Sequence, residues 1–320
     1  MHTGLPQRTR VYRNHHLDSR RWDLYQPRAG DVVVSTAYKA GTTWTQLIVL
    51  TLLDPDADGI ADVSARSPWP DRRFGQSEQN LVQMLAAHAP ARPMCLKTHL
   101  PLDALPYHRE LRYVVVGRDP RDVFMSLYNH YSNYNDVMYA RLNDAGCVGE
   151  PMPRCPADPR ALWREWVTRG WFEWEQEGWP FWSNLGHTRS YWGWRHLPNL
   201  LFVHYNDLWS DPHAQIARIA RFIGTGDDAA LVERVVERTR FDVMQQNADK
   251  MMARMNETWS GGARAFFHKG GGGRWRGVLD EDDLALYEQT RARVLEPACA
   301  RWLEDGGSAG QGWPARESGA

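Results

Sequence analysis

Apolar positions along this chain fall into two kinds of run: short β-branched stretches bounded by turn residues, and longer stretches of helical length. Asp31-Val-Val-Val-Ser-Thr-Ala37, preceded by Gly30, reads as a short buried strand. Tyr38-Lys-Ala-Gly-Thr-Thr43 follows as a tight loop, and the apolar stretch from Trp44 stops at Leu53 before Asp54-Pro55, as a helix would. The same pattern predicts strands at Met94–Lys97, Leu111–Gly117 and Leu200–Tyr205. Asp119-Pro120 supplies an N-cap with proline in the first helical position, so a helix is expected to run from there to about Tyr134. Further helices are expected at 158–177, 183–196, from Ser210-Asp211-Pro212 to near Gly224, at 228–238 and at 280–304. Residues 136–160, with several Pro and Gly, read as a long mobile excursion, and the Gly-rich tail after Asp305 as disordered. Strands alternating with helices imply an α/β fold whose central, mainly parallel sheet is flanked by helices on both faces. No linker composition interrupts residues 25–300, which predicts a single domain over 1–305 followed by a flexible tail, 306–320.

Charge narrows the function classes. Lys plus Arg number 38 and Asp plus Glu 39, a balance that argues against a general binder of nucleic acid or membrane surfaces. Any anion site must be built locally, from a few basic residues and backbone amides. The four cysteines (Cys95, Cys147, Cys155, Cys299) lie far apart and form no C-x-x-C pair, which fits a reduced cytosolic protein. The N-terminus lacks the apolar core of a signal peptide, and the run Leu47–Leu53 is too short to span a bilayer. A soluble, cytoplasmic protein without stable membrane insertion is expected. Tryptophan is the oddity: eight of the sixteen lie between Trp163 and Trp194.

The strand–loop–helix at 31–53 is a candidate anion site. A helix N-terminus offers unpaired amides and the positive end of a dipole, and Gly41 lets an anion approach the backbone. Lys39 adds a full charge, and Thr42 and Thr43 add hydroxyls. A strand-to-helix turn with a solvated lysine would give the same string. The G-x-x-x-x-G-K-[ST] pattern of nucleotide triphosphatases is absent.

Five segments in order carry a resemblance. Tyr38-Lys39-Ala40-Gly41-Thr42-Thr43-Trp44 resembles the 5'-phosphosulfate loop of the cytosolic-type sulfotransferases, written YPKSGTTW; here no proline separates Tyr38 from Lys39, and Ala40 replaces serine. Lys97-Thr98-His99-Leu100-Pro101 resembles the segment bearing the family's catalytic histidine. Tyr113 through Ser126 resembles its 3'-phosphate strand and helix, and Tyr205-Asn206-Asp207-Leu208 its YEDL turn. Phe266-Phe267-His268-Lys269-Gly270, with Gly273 and Trp275 beyond, resembles the RKGxxGDW loop. The likeness covers roughly residues 22–305 and is closer to the bacterial, glycolipid-type branch.

The resemblance implies a P-loop-like phosphosulfate site and transfer of a sulfuryl group from 3'-phosphoadenylyl sulfate (PAPS) to a hydroxyl of a hydrophobic, aromatic or glycolipid acceptor, without a metal. It implies Lys39, Lys97 and His99 as catalytic residues. Donor contacts are implied for Lys39, Ala40, Gly41, Thr42, Thr43, Trp44, Arg118, Ser126, Tyr205, Thr239, Phe241, Phe267, His268, Lys269 and Gly270. His99 follows a strand end, where active-site groups of open sheets collect, and an imidazole suits removal of a hydroxyl proton. Lys97 and His99, two apart on an extended segment, share a face. His268 stands where the family has Arg, and Arg274 where it has Asp. Asp119 and the Arg121-Asp122 pair read as helix-capping and solvated residues, and His15-His16 as solvated. The tryptophan block reads as an acceptor pocket, with core packing as the other reading. The family's KxxxTVxxxE dimer segment is not spelled after Trp275, so no dimer is expected through it. A P-loop kinase or NTPase and a non-catalytic lipid- or glycan-binding relative are the competing classes.

Overall fold

The β-branched run Val32–Thr36 is β1 of the computed structural model, which describes residues 4–57, 62–88, 92–267, 270–307 and 309. β2 is Cys95–Thr98, β3 Arg112–Gly117 and β4 Leu200–His204. All pairs are parallel and the spatial order is β2-β1-β3-β4, with Val32 opposite Cys95 and Arg112, and Tyr113 opposite Leu200. Side chains alternate across the sheet. Val33, Val115 and Phe202 enter one apolar core; Val32, Val34, Val114, Val116, Leu201 and Val203 enter the other. Helices cover both faces, so the strands read as unbroken apolar runs rather than as alternating ones.

The order reverses at β1: β2 lies on one side of it and β3 on the other. Ligands of open α/β sheets bind outside the carboxyl ends of the strands at such a point. Here β1 leads to Tyr38-Lys39, β2 ends next to His99, β3 ends at Arg118 and β4 at Tyr205. The fold therefore delivers one candidate segment from each of its four strands to one edge of the sheet.

Most elements fall where the pattern puts them: the helices Thr42–Leu53, Pro120–Ser132, Pro212–Ile223 and Ala229–Arg238 match within a few residues. Three expectations need correction. The 280–304 helix is two, Glu281–Val294 and Pro297–Asp305, because Pro297 forces Glu296 into an extended conformation (φ −67°, ψ 151°). The helix expected at 158–177 ends at Thr168, where Arg169 turns extended ahead of Gly170. Residues 136–160 are not a loose excursion. Asn135 caps a helix over Asp136–Leu142, and Asn143 exchanges two hydrogen bonds with the backbone of Met152, which is buried. Sequence patterning also gave no element for 241–267, which forms the short helices Phe241–Gln246, Ala248–Met251, Met255–Thr258 and Gly262–Phe266.

His15 and His16 are buried rather than solvated. The Asn14 side-chain oxygen accepts from the His16 and Leu17 amides and turns the arm inward. The His15 ring then meets Trp171 and the His16 ring meets Tyr38, Phe74, Phe181 and Trp182. The tail expected after Asp305 lies outside the described residues except at 306, 307 and 309. Among the described residues no helix is long and apolar enough to cross a membrane.

Candidate active site

The carboxyl edge of the sheet opens into a cavity of about 270 Å³. Lys39, Gly41, Thr42, Thr43, Trp44, Lys97, His99, Arg118, Ser126, Tyr205, Phe241 and Phe267 all line it. Distant segments of the sequence thus meet at one place. Ala40 is buried beneath the loop, and Thr239 is also buried and off the wall, its hydroxyl donating to the Val235 carbonyl at 2.8 Å. His268 and Lys269 lie outside the described residues; Gly270 follows them and packs under Trp209, where a Cβ would come within 2.3 Å of the indole.

The loop after β1 is shaped for an anion. Lys39 adopts a left-handed conformation (φ 71°), and Gly41, at the helix N-cap, sits at φ 104° with the Tyr205 ring 2.9 Å from where a Cβ would be. Any side chain at Gly41 would push that ring away, so the position needs glycine on both counts. Thr42 and Thr43 open the helix with their amides unpaired by any side-chain cap. Lys39 Nζ lies 3.4 Å from His130 Nδ1 and 3.8 Å from the centre of the Phe266 ring.

Arg118 ties two loops together. One guanidinium nitrogen donates to the Lys39 carbonyl at 3.3 Å and another to the Gly271 carbonyl at 2.9 Å, while the plane lies over Tyr205 at 4.0 Å. Asp122 belongs to the same construction. It is buried, and its two carboxylate oxygens accept from the amides of Gly273 (2.9 Å) and Arg274 (3.1 Å), so it anchors the glycine loop rather than facing solvent. Asp119 does cap its helix, bonding the Arg121 amide and guanidinium. Beside the loop, Trp44, Tyr205, Trp209, Phe241 and Phe267 form a chain of rings with centroids 5.6–6.4 Å apart. Such flat apolar walls suit a planar base.

His99 is buried against the same cavity. Its Nδ1 bonds the Thr36 carbonyl at 2.9 Å, and since a carbonyl only accepts, that nitrogen carries the proton. Nε2 is then the lone-pair atom, and it has no protein partner. Trp69, Tyr38 and Trp182 pack around the ring. Burial, then the nearby Lys97, hold its pKa well below the usual histidine range, so the ring is neutral at pH 7.

The positive groups crowd one another. Burial and then the charges of Lys97, Arg118 and Arg274 push the Lys39 pKa down, and burial with the Arg72 charge pushes Lys97 down to about 7. Two lysines and five arginines (Arg72, Arg118, Arg141, Arg254, Arg274) line the cavity, and no Asp or Glu does so among the described residues. A cavity wall that carries like charges and no carboxylate suits a polyanion. Among the described residues, no group of three or more His, Cys, Asp or Glu is placed to hold a metal ion.

Residues 29–296 match the family model of the sulfotransferase domain. The chain belongs to that family. It is 29% identical over 312 residues to the glycolipid sulfotransferase of Mycobacterium bovis, covering 92% of this chain and 94% of that one. Sulfotransferase 1B1 of Mus musculus is 26% identical over 240 residues, covering 72% of this chain and 71% of that one. The crystal structure of retinol dehydratase in a complex with retinol and PAP superposes with a TM-score of 0.66 at 25% identity, covering 87% of this chain and 84% of that one.

In this sulfotransferase the block Trp163–Trp194 does not line the cavity, which corrects the pocket reading. Trp163, Trp166 and Trp192 are buried in the core against one another, Phe124 or Trp302, and Trp182 is buried behind the His99, Tyr38 and His16 rings. Much of the remaining apolar wall of the cavity is instead supplied by Trp69, Phe74, Met138, Met252, Met255 and Trp259. These residues come from loops and short helices without periodicity or motif, so patterning could not have collected them. Tyr38 and His130 were also missed as a pair: the Tyr38 hydroxyl and His130 Nε2 are 2.7 Å apart behind Lys39.

Proposed function

We propose that this enzyme transfers a sulfuryl group from PAPS to a hydroxyl of a hydrophobic acceptor by in-line displacement, with His99 as general base. The observation that carries the reading is the meeting, in one cavity, of the Lys39–Thr43 anion loop, the Arg118–Ser126 pair and the unpartnered Nε2 of His99. PAPS, when bound, supplies the sulfuryl group and departs as adenosine 3',5'-bisphosphate. The helix amides at Thr42 and Thr43 with Lys39 would hold the 5'-phosphosulfate, Arg118 and Ser126 the 3'-phosphate, and the Trp44–Phe241–Phe267 wall the base. His99 Nε2 takes the acceptor's hydroxyl proton, while Lys39 and Lys97 neutralise charge that builds on the leaving and transferring oxygens. The glycolipid relatives and the PAP-bound neighbour support this choice of donor and of an apolar acceptor.

Two further readings go with it. Residues 275–285 are engaged within the chain: Trp275 and Leu279 are buried, and Arg160 pairs with Asp280 and Asp283, which supports the reading that no dimer forms through this segment. Four unpaired cysteines suit the reducing cytoplasm. The test of the donor is thermal shift: adenosine 3',5'-bisphosphate should raise Tm well beyond AMP, and equal shifts would overturn the assignment. Radiolabelled donor with phenols, fatty alcohols, sterols and glycolipids then reads turnover directly.

A further inference from the structure

The cations of the cavity divide by position. Lys39, Arg118 and Arg274 stand with the loop after β1, the end of β3 and the glycine loop, where the proposed donor's phosphates belong. Arg72, Arg141 and Arg254 come from other segments and share the cavity wall with Trp69, Phe74, Met138 and Met252. Arg141 is paired with Glu257 at 2.7 Å. Among the described residues neither Arg72 nor Arg254 forms an ion pair, and Arg72 Nε is buried with no hydrogen-bond partner. The carboxylate whose field favours the charged form of Arg72 is Asp62, and its Oδ1 is engaged by the amide and hydroxyl of Ser64.

A half-buried guanidinium whose Nε is closed off from water without an acceptor is costly, because the lost hydration of that group is not replaced. The neighbouring charges of Arg254, Arg21 and Arg141 add to that cost; together with burial they lower the Arg72 pKa to about 10. Such an arrangement is relieved by an anion entering the cavity. A run of rings links it to the chemistry. His99 packs on Trp69 (5.1 Å between rings), Trp69 on Phe74 (6.2 Å), and the Arg72 guanidinium lies 6.0 Å from the Phe74 ring centre. An acceptor that reaches both His99 and Arg72 would lie along these two rings.

We infer that the acceptor is an anionic amphiphile: a hydroxyl at His99, an apolar body along Trp69 and Phe74, and a carboxylate or phosphate monoester held by Arg72 with Arg254. The inference rests on the sulfotransferase reading above and names the substrate class of that same cavity. A guanidinium fork matches either oxyanion, and charge-assisted bonds to it are about twice as strong as neutral ones. Neutral phenols and alcohols leave that fork unanswered and bind less well.

The test uses a graded series of ω-(para-hydroxyphenyl)alkanoates, their methyl esters and the matching phosphate monoesters. Binding is measured by calorimetry to the full chain, with and without adenosine 3',5'-bisphosphate, and turnover with PAPS. The acid should bind at least about tenfold tighter than its ester at the best chain length, a preference that weakens with salt. Arg254→Gln, at an exposed position, and Arg72→Gln should each cut the acid-to-ester ratio toward one. A ratio near one in the unaltered enzyme overturns the inference, as does a ratio that survives both substitutions. So does a loss of adenosine 3',5'-bisphosphate affinity as large as the loss of acid affinity, which would assign the arginines to the donor. If the bisphosphate does not bind at all, the donor reading fails, while the acid-to-ester ratio is still read on the donor-free protein. The phosphate arm decides which oxyanion the fork prefers.

Discussion

His99 donates its Nδ1 proton to the Thr36 carbonyl oxygen at 2.9 Å, which fixes the tautomer and leaves Nε2 as the acceptor atom in the cavity wall. Thr36 is the last residue of β1, so the sheet itself orients the proposed base. A positioned base contributes ~10²–10⁴-fold to proton transfer. His99→Ala should lower kcat by about that factor and leave the Kd for adenosine 3',5'-bisphosphate within about threefold. Near-normal turnover in the variant would move the base elsewhere.

Lys39 should behave differently, because in the proposed reaction its charge faces the donor before and during the transfer. Its left-handed backbone and the 3.4 Å approach to His130 Nδ1 hold the ammonium at the mouth of the anion loop. Charge-assisted bonds are worth about 1.5–3 kcal/mol each, roughly ten- to hundredfold in Kd. Lys39→Ala should therefore weaken binding of adenosine 3',5'-bisphosphate by that range and also lower kcat. Isothermal calorimetry beside steady-state rates separates the two effects. Intact binding would remove Lys39 from the donor site.

The proposed donor half of this site drew on parts that are each local in the sequence: a β-branched strand, a glycine at the helix start, a Lys-x-His on extended chain. Periodicity and turn residues carry that information within a dozen positions. Trp69, Arg72, His130 and Arg254 could not be read, since only the closed fold brings their segments together. Burial misled twice. His15-His16 looked solvated because the rings that cover them come from residues far along the chain, and the tryptophan block looked like a pocket because its density is the same whether the rings line a cavity or fill a core. Asp122 was read as solvated for a similar reason: its partners, the amides of Gly273 and Arg274, lie about 150 residues away.

Asp122 offers a test of loop anchoring. With both oxygens engaged by backbone amides, Asp122→Ala leaves two half-buried donors without their partner, at up to about 1–3 kcal/mol each. The glycine loop also meets Arg118 through the Gly271 carbonyl, so loosening it should disturb the proposed 3'-phosphate site. Asp122→Ala should lower Tm by several degrees and weaken adenosine 3',5'-bisphosphate more than AMP. Asp122→Asn, which keeps one acceptor, should fall between. Equal losses for the two nucleotides would mean that the loop does not touch the 3'-phosphate.

Folding stability should fall on mild acidification. Burial holds the pKa values of His15, His16, His99, His130, His187 and His204 below the ordinary histidine value, with His15 and His187 at about 3. The unfolded chain binds protons on these rings as pH drops below 6.5, and the folded chain does not. Where the unfolded state binds more protons, stability rises with pH, so it is lost as pH falls through that window. Glu175, raised by burial to about 8, and Glu177, Asp71 and Asp103, also raised by burial, act in the opposite sense: the folded state keeps their protons longer. Below about pH 6 each unfolded ring carries close to a full proton, and six rings against four carboxyls then leave the histidines dominant down to about pH 5. Urea midpoints should therefore fall from about pH 6 to pH 5, and His187→Gln, which removes the ring facing the Ser35 hydroxyl at 3.0 Å, should flatten that slope. A midpoint that is constant or rises toward pH 5 would mean that these rings charge within the folded protein.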